Sequence, residues 1–457
     1  MKLGSGVVKS ELAAIPKRQF VWLGVVIAII SILWGFLPWT WSTIDDPGMV
    51  IGFQERFEEF GFLGGVWHGI TNAATGEVSW GLFRPSYWVF QSTFYLLPVG
   101  IAHSVRMAMF LIVLAGPLVY LRRKGIAFKY LVAAGILLGI AAAPLARGLF
   151  FLSLQELSGA ALIGLGLMFR GPLARSIAWI LAAWFKSPFV WLLFAYSVYL
   201  WVKGKRRLSV INFAFALATF GISYFFARNG QYTAPRIRPT IWAMIDAAYN
   251  NGLNLFGIST ALLLTAVLWF LLVSKSFLQA KGIAIVIGVG WLGYTAHMSQ
   301  WEMSSYYFGP ILFLLGLFLI FSIQFPQQQT LAAFTLSLSL PALILVYQLG
   351  LEVKEGLRAN SVLIAIEDCL LNGDANLRYG LTGDILNVTT MEGAVRIAQN
   401  VLLRDSEWNG EVAFIDDPSN VSSEIDVLLI VGNADLALKV GQNVICEAED
   451  LILVAKQ

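Results

Sequence analysis

The chain has 457 residues, of which 58% are hydrophobic and 13% are charged, and its formal net charge is +3. The mean hydropathy of +0.71 excludes an ordinary soluble domain, and no nucleic-acid partner is expected. Repeated apolar runs of about twenty residues instead predict an all-α polytopic membrane protein, because a helix satisfies its own backbone hydrogen bonds in lipid.

Eleven apolar runs follow one another and predict about eleven transmembrane helices. They fall at 20–41, 101–121, 127–146, 149–169, 172–185, 188–202, 208–227, 257–274, 282–297, 305–324 and 329–349. Two of them, 172–185 and 188–202, are short and separated only by Lys186 and Ser187. For this pair we expect a tight hairpin that does not cross the bilayer squarely.

The basic residues predict the orientation of the helices. With a cytoplasmic N-terminus, sixteen of the 31 basic residues fall in cytoplasmic segments, against one acid, Glu11. The sixteen are Lys2, Lys9, Lys17, Arg18, Arg122, Arg123, Lys124, Lys129, Arg170, Arg175, Lys203, Lys205, Arg206, Arg207, Lys275 and Lys281. This distribution follows the positive-inside rule and predicts that 42–100, 228–256 and everything after 350 lie outside. No cleavage site follows the first run, which we interpret as a retained helix.

The first external loop, 42–100, opens with two adjacent carboxylates, Asp45 and Asp46, followed by Pro47 and Gly48. Charged groups at a low-dielectric boundary are candidates for function. An aspartate that caps a short loop helix would explain the same pattern. The spacing of apolar residues over 49–69 predicts an amphipathic helix in the membrane interface, and 85–98 predicts a second interfacial helix.

The composition changes after Gly350. Residues 352–457 contain 18 Asp and Glu, alternating runs at 411–415 and 426–431, and one helical run near 390–403. We therefore expect a transmembrane domain over 1–350 and a small extracytoplasmic α/β domain over 351–457. The two cysteines, Cys369 and Cys446, could pair in an oxidising compartment or remain two buried thiols.

The order of these parts resembles the GT-C superfamily of integral-membrane glycosyltransferases, which use lipid-phosphate-linked sugars. The closest likeness is to the branch with the protein O-mannosyltransferases and bacterial sugar and aminoarabinose transferases. The residues that carry it are Asp45 and Asp46, Phe83 to Trp88, Gln155 and Glu156, Lys186 to Pro188 and, more weakly, Tyr306 to Pro310. The chain lacks the His-containing loop of the O-mannosyl branch around Pro144 to Arg147, which counts against a protein acceptor. The acceptor is a glycan, a lipid or a protein, and the sequence does not choose among them.

The resemblance implies transfer of a sugar from a polyprenyl-phosphate donor to an extracytoplasmic acceptor. Asp46 would act as general base with Asp45 as its partner, or the two would hold a divalent ion such as Mg or Mn. Cations would hold the departing lipid phosphate. The candidates for this contact are Lys186, Arg84 with Tyr87, Arg236 and Arg238.

These candidates also have structural explanations. Lys186 could be an interfacial lysine that extends to water, and Arg84 could pack the loop helices together. Glu156 lies in an apolar run, so we expect it to have a partner or to reach a cavity, and Arg147 or Lys186 could supply the charge. Tyr306 and Tyr307 are expected in supporting positions.

Two other functions compete with the transferase. A ligase or polymerase of cell-surface glycans would have its large external loop between late spans, whereas here the large loop follows the first span. A transporter or flippase for lipid-linked sugars would show inverted repeats, and the sequence contains no internal repeat. The pattern favours a transferase in the cell envelope, in a bacterial inner (plasma) membrane, with membrane lipids around it.

Overall fold

A computed structural model describes most of the membrane part and portions of the C-terminal part. The described residues are 46–71, 83–150, 155–229, 257–298, 308–372, 377–383, 397–399, 401–402, 405, 407–415, 425–431, 444–448 and 451–455. The first predicted span, 20–41, lies outside them. So do five predicted site residues: Asp45, Arg236, Arg238, Tyr306 and Tyr307.

Helices occupy the other ten predicted apolar runs, and one further helix, α1 (Asp46–Thr71), comes before those ten. The ten are α2 (Val99–Arg123), α3 (Phe128–Ala142), α4 (Glu156–Met168), α5 (Pro172–Phe185), α6 (Val190–Val202), α7 (Arg206–Asn229), α8 (Gly257–Ser274), α9 (Ile283–Met298), α10 (Phe308–Ser322) and α11 (Leu331–Asn372). A 3-10 segment, Ala143–Leu149, follows α3, and another, Ser187–Phe189, joins α5 to α6.

Five helical stretches in the described part of the chain are long and apolar enough to cross a membrane. They are Val99–Arg123, Phe128–Leu149, Arg206–Phe226, Gly257–Ser274 and Leu331–Lys354. Five more apolar helices have 10–17 residues, and α5 and α6 are among them. The two helices that flank Lys186 are therefore short, as the sequence predicts. Together these helices define an integral membrane protein.

Helices α2 and α4 pack closely where they cross. A side chain at Gly116 would collide with the backbone of Gly164, and a Cβ at Gly164 would lie 2.6 Å from the carbonyl oxygen of Ile112. Small residues at a crossing let two membrane helices pack backbone to backbone. Farther along α4, Trp179 of α5 fills the space beside Gly166 and donates to the Ile163 carbonyl at 3.2 Å.

Helix α1 covers the predicted interfacial helix 49–69 and is kinked at Gly61. The φ angle of Gly61 is 66°, in the left-handed region that glycine adopts without steric penalty. The second predicted interfacial segment is also helical, with a π-helical turn at Tyr87–Gln91 and one further turn at Ser92–Tyr95. One cluster joins the two segments to the bundle. Its buried members are Val66, Tyr87, Trp88, Phe94, Ala102 and Phe185.

The loops that carry the predicted cytoplasmic charges gather at one end of the bundle. Arg123, at the end of α2, donates to the Met168 carbonyl at the end of α4. The Tyr130 hydroxyl donates to the Pro326 carbonyl at 2.7 Å. Two short strands, β1 (Phe277–Leu278) and β2 (Ile323–Gln324), pair antiparallel and join the loops after α8 and α10. We call this the basic end, and the opposite one, with Lys186 and Glu156, the site end.

Helix α11 runs without interruption through the predicted domain boundary at 350, despite Pro341 in its first third. Val353 and Leu357 still pack against the core of the bundle. Leu363, two turns further on, already belongs to the core of the C-terminal part. The division into 1–350 and 351–457 stays a prediction, since the backbone has no break there.

The C-terminal part contains a mixed five-stranded sheet of β3 (Arg378–Gly383), β4 (Glu411–Phe414), β5 (Val427–Val431), β6 (Val444–Ala448) and β7 (Leu451–Ala455). The strand order is β4-β3-β5-β7-β6; β3 is parallel to β4 and β5, and β7 is antiparallel to β5 and β6. Two strands match the alternating runs of the sequence. Cys369 is disulfide-bonded, and Cys446 is the other cysteine of the chain.

Candidate functional site

A buried ion pair lies at the site end of the bundle. The Lys186 ammonium donates to Glu156 Oε1 at 2.6 Å, and the two side chains are 13% and 6% exposed. Lys186, one of the two cations that the sequence offered as a partner for Glu156, forms this pair. Removing either partner would leave a buried charge uncompensated, which costs about 3–5 kcal/mol.

Local backbone structure sets the position of this pair. Lys186 follows the last turn of α5 in extended conformation, with φ −144° and ψ 109°, because the chain turns into the segment that begins Ser187-Pro188. Glu156 is the first residue of α4, where the positive end of the helix dipole favours a carboxylate. The tip of the short hairpin formed by α5 and α6 therefore contacts the first residue of α4.

A second ion pair ties the bundle to α11. Arg147, in the 3-10 segment after α3, pairs with Glu352, which is 205 residues further along the chain. Gly356, one turn beyond Glu352, leaves room for Phe150 against the helix. Arg147, predicted in a supporting position beside Glu156, is therefore bound to another carboxylate.

Two more polar residues are buried on α2 near the site end. His103 is 1% exposed, and its Nδ1 donates to the Leu149 carbonyl at 2.8 Å. Arg106 is fully buried, donates to Ser158 Oγ at 2.9 Å, and has its guanidinium 5.4 Å from the centre of the Phe94 ring. Since arginine stays charged at any physiological pH, this helix places a permanent positive charge inside the protein, two residues from Glu156 through Ser158.

The interfacial segment covers this region. The guanidinium of Arg84 lies 4.6 Å from the centre of the Tyr87 ring, and Tyr87 is 1% exposed. Phe90 packs on Phe185 at 5.8 Å between ring centroids, next to Lys186 in the sequence. The predicted pair Arg84 and Tyr87 therefore forms one unit, attached to the end of α5.

Helix α1 packs on the same segment. The Arg56 guanidinium lies 5.5 Å from the centre of the Trp88 ring, and the lack of a side chain at Gly69 makes room for that indole. Burial lowers the pKa of Arg56 from its ordinary value, and the neighbouring Glu55 carboxylate acts in the opposite direction. Asp46 is the first residue of α1, a position where helices favour aspartate. Its side chain lies outside the described residues.

No group of three or more His, Cys, Asp or Glu side chains that could hold a metal occurs within the described ranges. A divalent ion at the predicted position would have Asp45 and Asp46 as ligands, and neither side chain is described. No catalytic step is therefore derived through a metal.

The structure brings together Lys186, Glu156, Arg84 and Tyr87 at the site end, whereas Arg147, in the 3-10 segment after α3, is paired with Glu352 of α11. Neither Glu352 nor Ser158 was predicted from the sequence, and Arg106 had no predicted role. Glu352 could be noticed in the sequence as an acidic residue just after the last apolar run. Nothing in the sequence indicates that its partner is Arg147. Ser158 had none, because a serine in an apolar helix usually bonds to its own backbone.

Comparisons with known proteins add one structural neighbour. No family model matches the chain, and no curated protein matches it. Among solved structures, the crystal structure of ArnT from Cupriavidus metallidurans in the apo state aligns over 96% of this chain and 98% of its own, with 13% identity and a TM-score of 0.48. At this score and identity the likeness assigns no residue, substrate or activity.

Proposed function

We propose that this chain is a GT-C-type membrane glycosyltransferase that transfers a sugar from a polyprenyl-phosphate donor to an extracytoplasmic acceptor. The observation that carries the proposal is the buried Lys186–Glu156 pair, placed at the site end beneath the segment that holds Arg84. A charged pair at this depth is expensive to maintain for packing alone, whereas a lysine held in place suits a lipid phosphate.

In the proposed reaction, Asp46 takes the proton of an acceptor hydroxyl while the hydroxyl oxygen attacks the anomeric carbon. The bond between that carbon and the phosphate oxygen breaks, and polyprenyl phosphate leaves. Negative charge grows on the leaving phosphate, and fixed cations stabilise it. A positioned carboxylate base contributes about 10²–10⁴ in rate.

Lys186 and Arg84 are the proposed phosphate contacts, with Arg236 and Arg238 from the second large external loop. An ammonium has three N–H donors, and Glu156 accepts from one of them. Glu156 thereby fixes the direction of the lysine before a donor lipid arrives. Tyr87 supports Arg84 through its ring, and Tyr306 and Tyr307 remain proposed supporting residues.

A divalent ion, Mg or Mn, is the alternative role for the aspartates, in which Asp45 and Asp46 are ligands and neither acts as base. We propose that the N-terminus lies in the cytoplasm of a bacterial cell and that the site end and the C-terminal sheet lie outside the inner membrane. The Cys369 disulfide supports this placement, since disulfides persist outside the reducing cytosol.

The test is turnover by the purified full-length protein. A polyprenyl-phosphate sugar labelled in the sugar is incubated with cell-envelope glycan, lipid and protein fractions, with and without chelator. We expect label to move from the donor to one fraction, with release of polyprenyl phosphate. Movement of intact donor across proteoliposomes without cleavage would show a flippase, and growth of long glycan chains would show a polymerase.

A further inference from the structure

An exposed apolar surface adjoins the end of α5 at which Lys186 lies. Val89 and Phe90, in the π-helical turn Tyr87–Gln91, are each 42% exposed. The Phe90 ring packs on the ring of Phe185 at 5.8 Å between centroids, and Phe185 is buried and directly precedes Lys186 in the chain. One buried phenylalanine therefore connects the partly exposed Phe90 ring to the residue that carries the ammonium.

The π-helical turn explains why two neighbouring apolar side chains are exposed here. Tyr87 and Trp88 at its start are buried, and so is Phe94 in the next helical turn. A π-helical turn contains more residues than an α-helical turn, so the residues between these buried positions shift away from the protein-facing side. The Thr93 hydroxyl donates to the Val89 carbonyl at 2.7 Å and satisfies an acceptor within this irregular backbone. Such turns are frequent at functional sites.

Packing against two helices holds this turn in place. Trp88 lies against Gly69 of α1, where a side chain would collide with the indole. Phe94 lies under the buried Arg106 guanidinium of α2. Phe90 is therefore positioned over the end of α5 before a ligand binds, and a surface prepared in this way loses little conformational entropy on binding.

The chemistry of the proposed donor matches this arrangement. In a polyprenyl phosphate the apolar chain begins at an oxygen of the phosphate, so its first isoprene units lie next to whatever group holds the phosphate. With the phosphate at Lys186 and Arg84, the adjoining apolar surface is that of Val89 and Phe90. Contact between them and the first isoprene units removes apolar surface of both partners from water.

We propose that Phe90 is a specificity-determining residue of the donor site, on which the first isoprene units of the lipid lie while the phosphate contacts Lys186. The inference rests on the proposed function and adds to it a position for the chain. Exposed apolar side chains are ordinary on a protein surface, so exposure alone does not distinguish Phe90. Its contact with Phe185, beside the ion pair, does. Phe90 thus acts on the lipid part of the donor and Lys186 on the phosphate.

The test compares farnesyl phosphate with farnesol, the corresponding uncharged alcohol, in titrations of the full-length protein followed by native mass spectrometry. Phe90→Ala should weaken the binding of both compounds by about tenfold, because it removes the surface under the chain. The double variant Lys186→Met/Glu156→Gln should weaken the binding of farnesyl phosphate alone, because farnesol carries no charge. Phe90→Leu keeps an apolar side chain and should bind both compounds within about threefold of the wild type.

Phe62→Ala is the matched control. Phe62 is 43% exposed and packs on Phe57 of α1, so this variant removes an equally exposed ring whose partner is not Phe185. It should bind both compounds as the wild type does. Unchanged binding by Phe90→Ala, or an equal loss in Phe62→Ala, would overturn the inference and leave the proposed donor standing. A wild type that binds neither compound would overturn the proposed donor as well. Because binding is measured without an acceptor, an absence of sugar transfer does not alter these outcomes.

Discussion

At the scale of single residues, the sequence predicted which buried charged residue needs a partner, but it predicted only some of the partners themselves. An acid inside an apolar run demands a cation, and Lys186 was one of two candidates for Glu156. Arg147 was the other, and its pairing with Glu352 could not be foreseen, because the sequence does not show which outer helix ends are neighbours. The fully buried Arg106 shows the same limit: its partner Ser158 is a residue type without a long-range signal.

The first prediction concerns Asp46. Asp46→Asn keeps the size of the side chain and removes its charge, so turnover of the polyprenyl-phosphate sugar should fall by about 10²-fold or more while donor binding stays nearly unchanged. Asp45→Asn should be milder if Asp45 only assists, and equally severe if both residues hold a metal. Turnover by the purified variants, measured with and without chelator, distinguishes these two roles of Asp45. Asn caps a helix as well as Asp does, so wild-type turnover by Asp46→Asn would show that Asp46 only caps the helix and is not the base.

The second prediction separates binding from stability at Lys186. Lys186→Met should lower the free energy of unfolding by about 3–5 kcal/mol, since Glu156 is left as a buried, uncompensated charge. The double variant Lys186→Met/Glu156→Gln removes both charges and should recover most of that stability. If Lys186 holds the donor phosphate, the double variant should still bind donor poorly.

Thermal unfolding in detergent and donor-binding titrations measure the two effects independently. Glu156→Gln alone serves as the control that keeps the lysine. Normal donor affinity in the stable double variant would make the pair purely structural.

At the scale of elements, the helices follow the apolar runs closely, but their ends do not. Pro144 lies where the predicted span 127–146 becomes a 3-10 segment, and the helix of the next run begins only at Glu156. The change in composition at Gly350 suggested an end, yet α11 continues to Asn372. A helix can leave the membrane without a break, because polar surroundings satisfy its side chains as well as lipid satisfies apolar ones. The change in composition at Gly350 therefore indicates where the surroundings of the helix become polar, and it does not indicate where the helix ends.

The third prediction tests the crossing of α2 and α4. Gly116→Ala places a methyl group against the backbone of Gly164, which cannot move aside, and should destabilise the protein by about 1–3 kcal/mol. Gly135→Ala is the matched control, since its Cβ would meet Leu118 Cδ1 at an ordinary 3.5 Å. Melting temperatures of the two variants in the same detergent provide the measurement. Equal melting temperatures would show that the two helices do not touch at Gly116.

At the scale of the whole molecule, the positive-inside pattern and the packing agree. Loops predicted on the cytoplasmic side are joined by contacts at the basic end, and the predicted outer loops carry the ion pairs of the site end. Among the described loops, the distribution of charge along the sequence separates those at the basic end from those at the site end. It could not predict which helices adjoin, because lipid-facing and protein-facing surfaces of these helices are equally apolar.

The fourth prediction fixes the orientation. A cysteine at Lys205 should react with an impermeant maleimide only after the cells are permeabilised, whereas one at Asn409 should react in intact cells. Cys369 is disulfide-bonded and should not contribute to labelling. If a cysteine at position 205 is labelled from outside intact cells, the orientation is the opposite of the proposed one, and the proposed site lies in the cytoplasm.

The contacts of α3 have a consequence for biosynthesis. Tyr130, in the first turn of α3, and Arg147, in the 3-10 segment after it, contact partners that the ribosome adds 196 and 205 residues later. α3 also packs against α10 and α11, the last membrane helices to emerge. A nascent chain therefore holds α3 in the bilayer throughout the synthesis of α4 to α9, before α10 and α11 exist. Insertion and folding are separate events for this helix, and the protein completes its centre only when its final helix arrives.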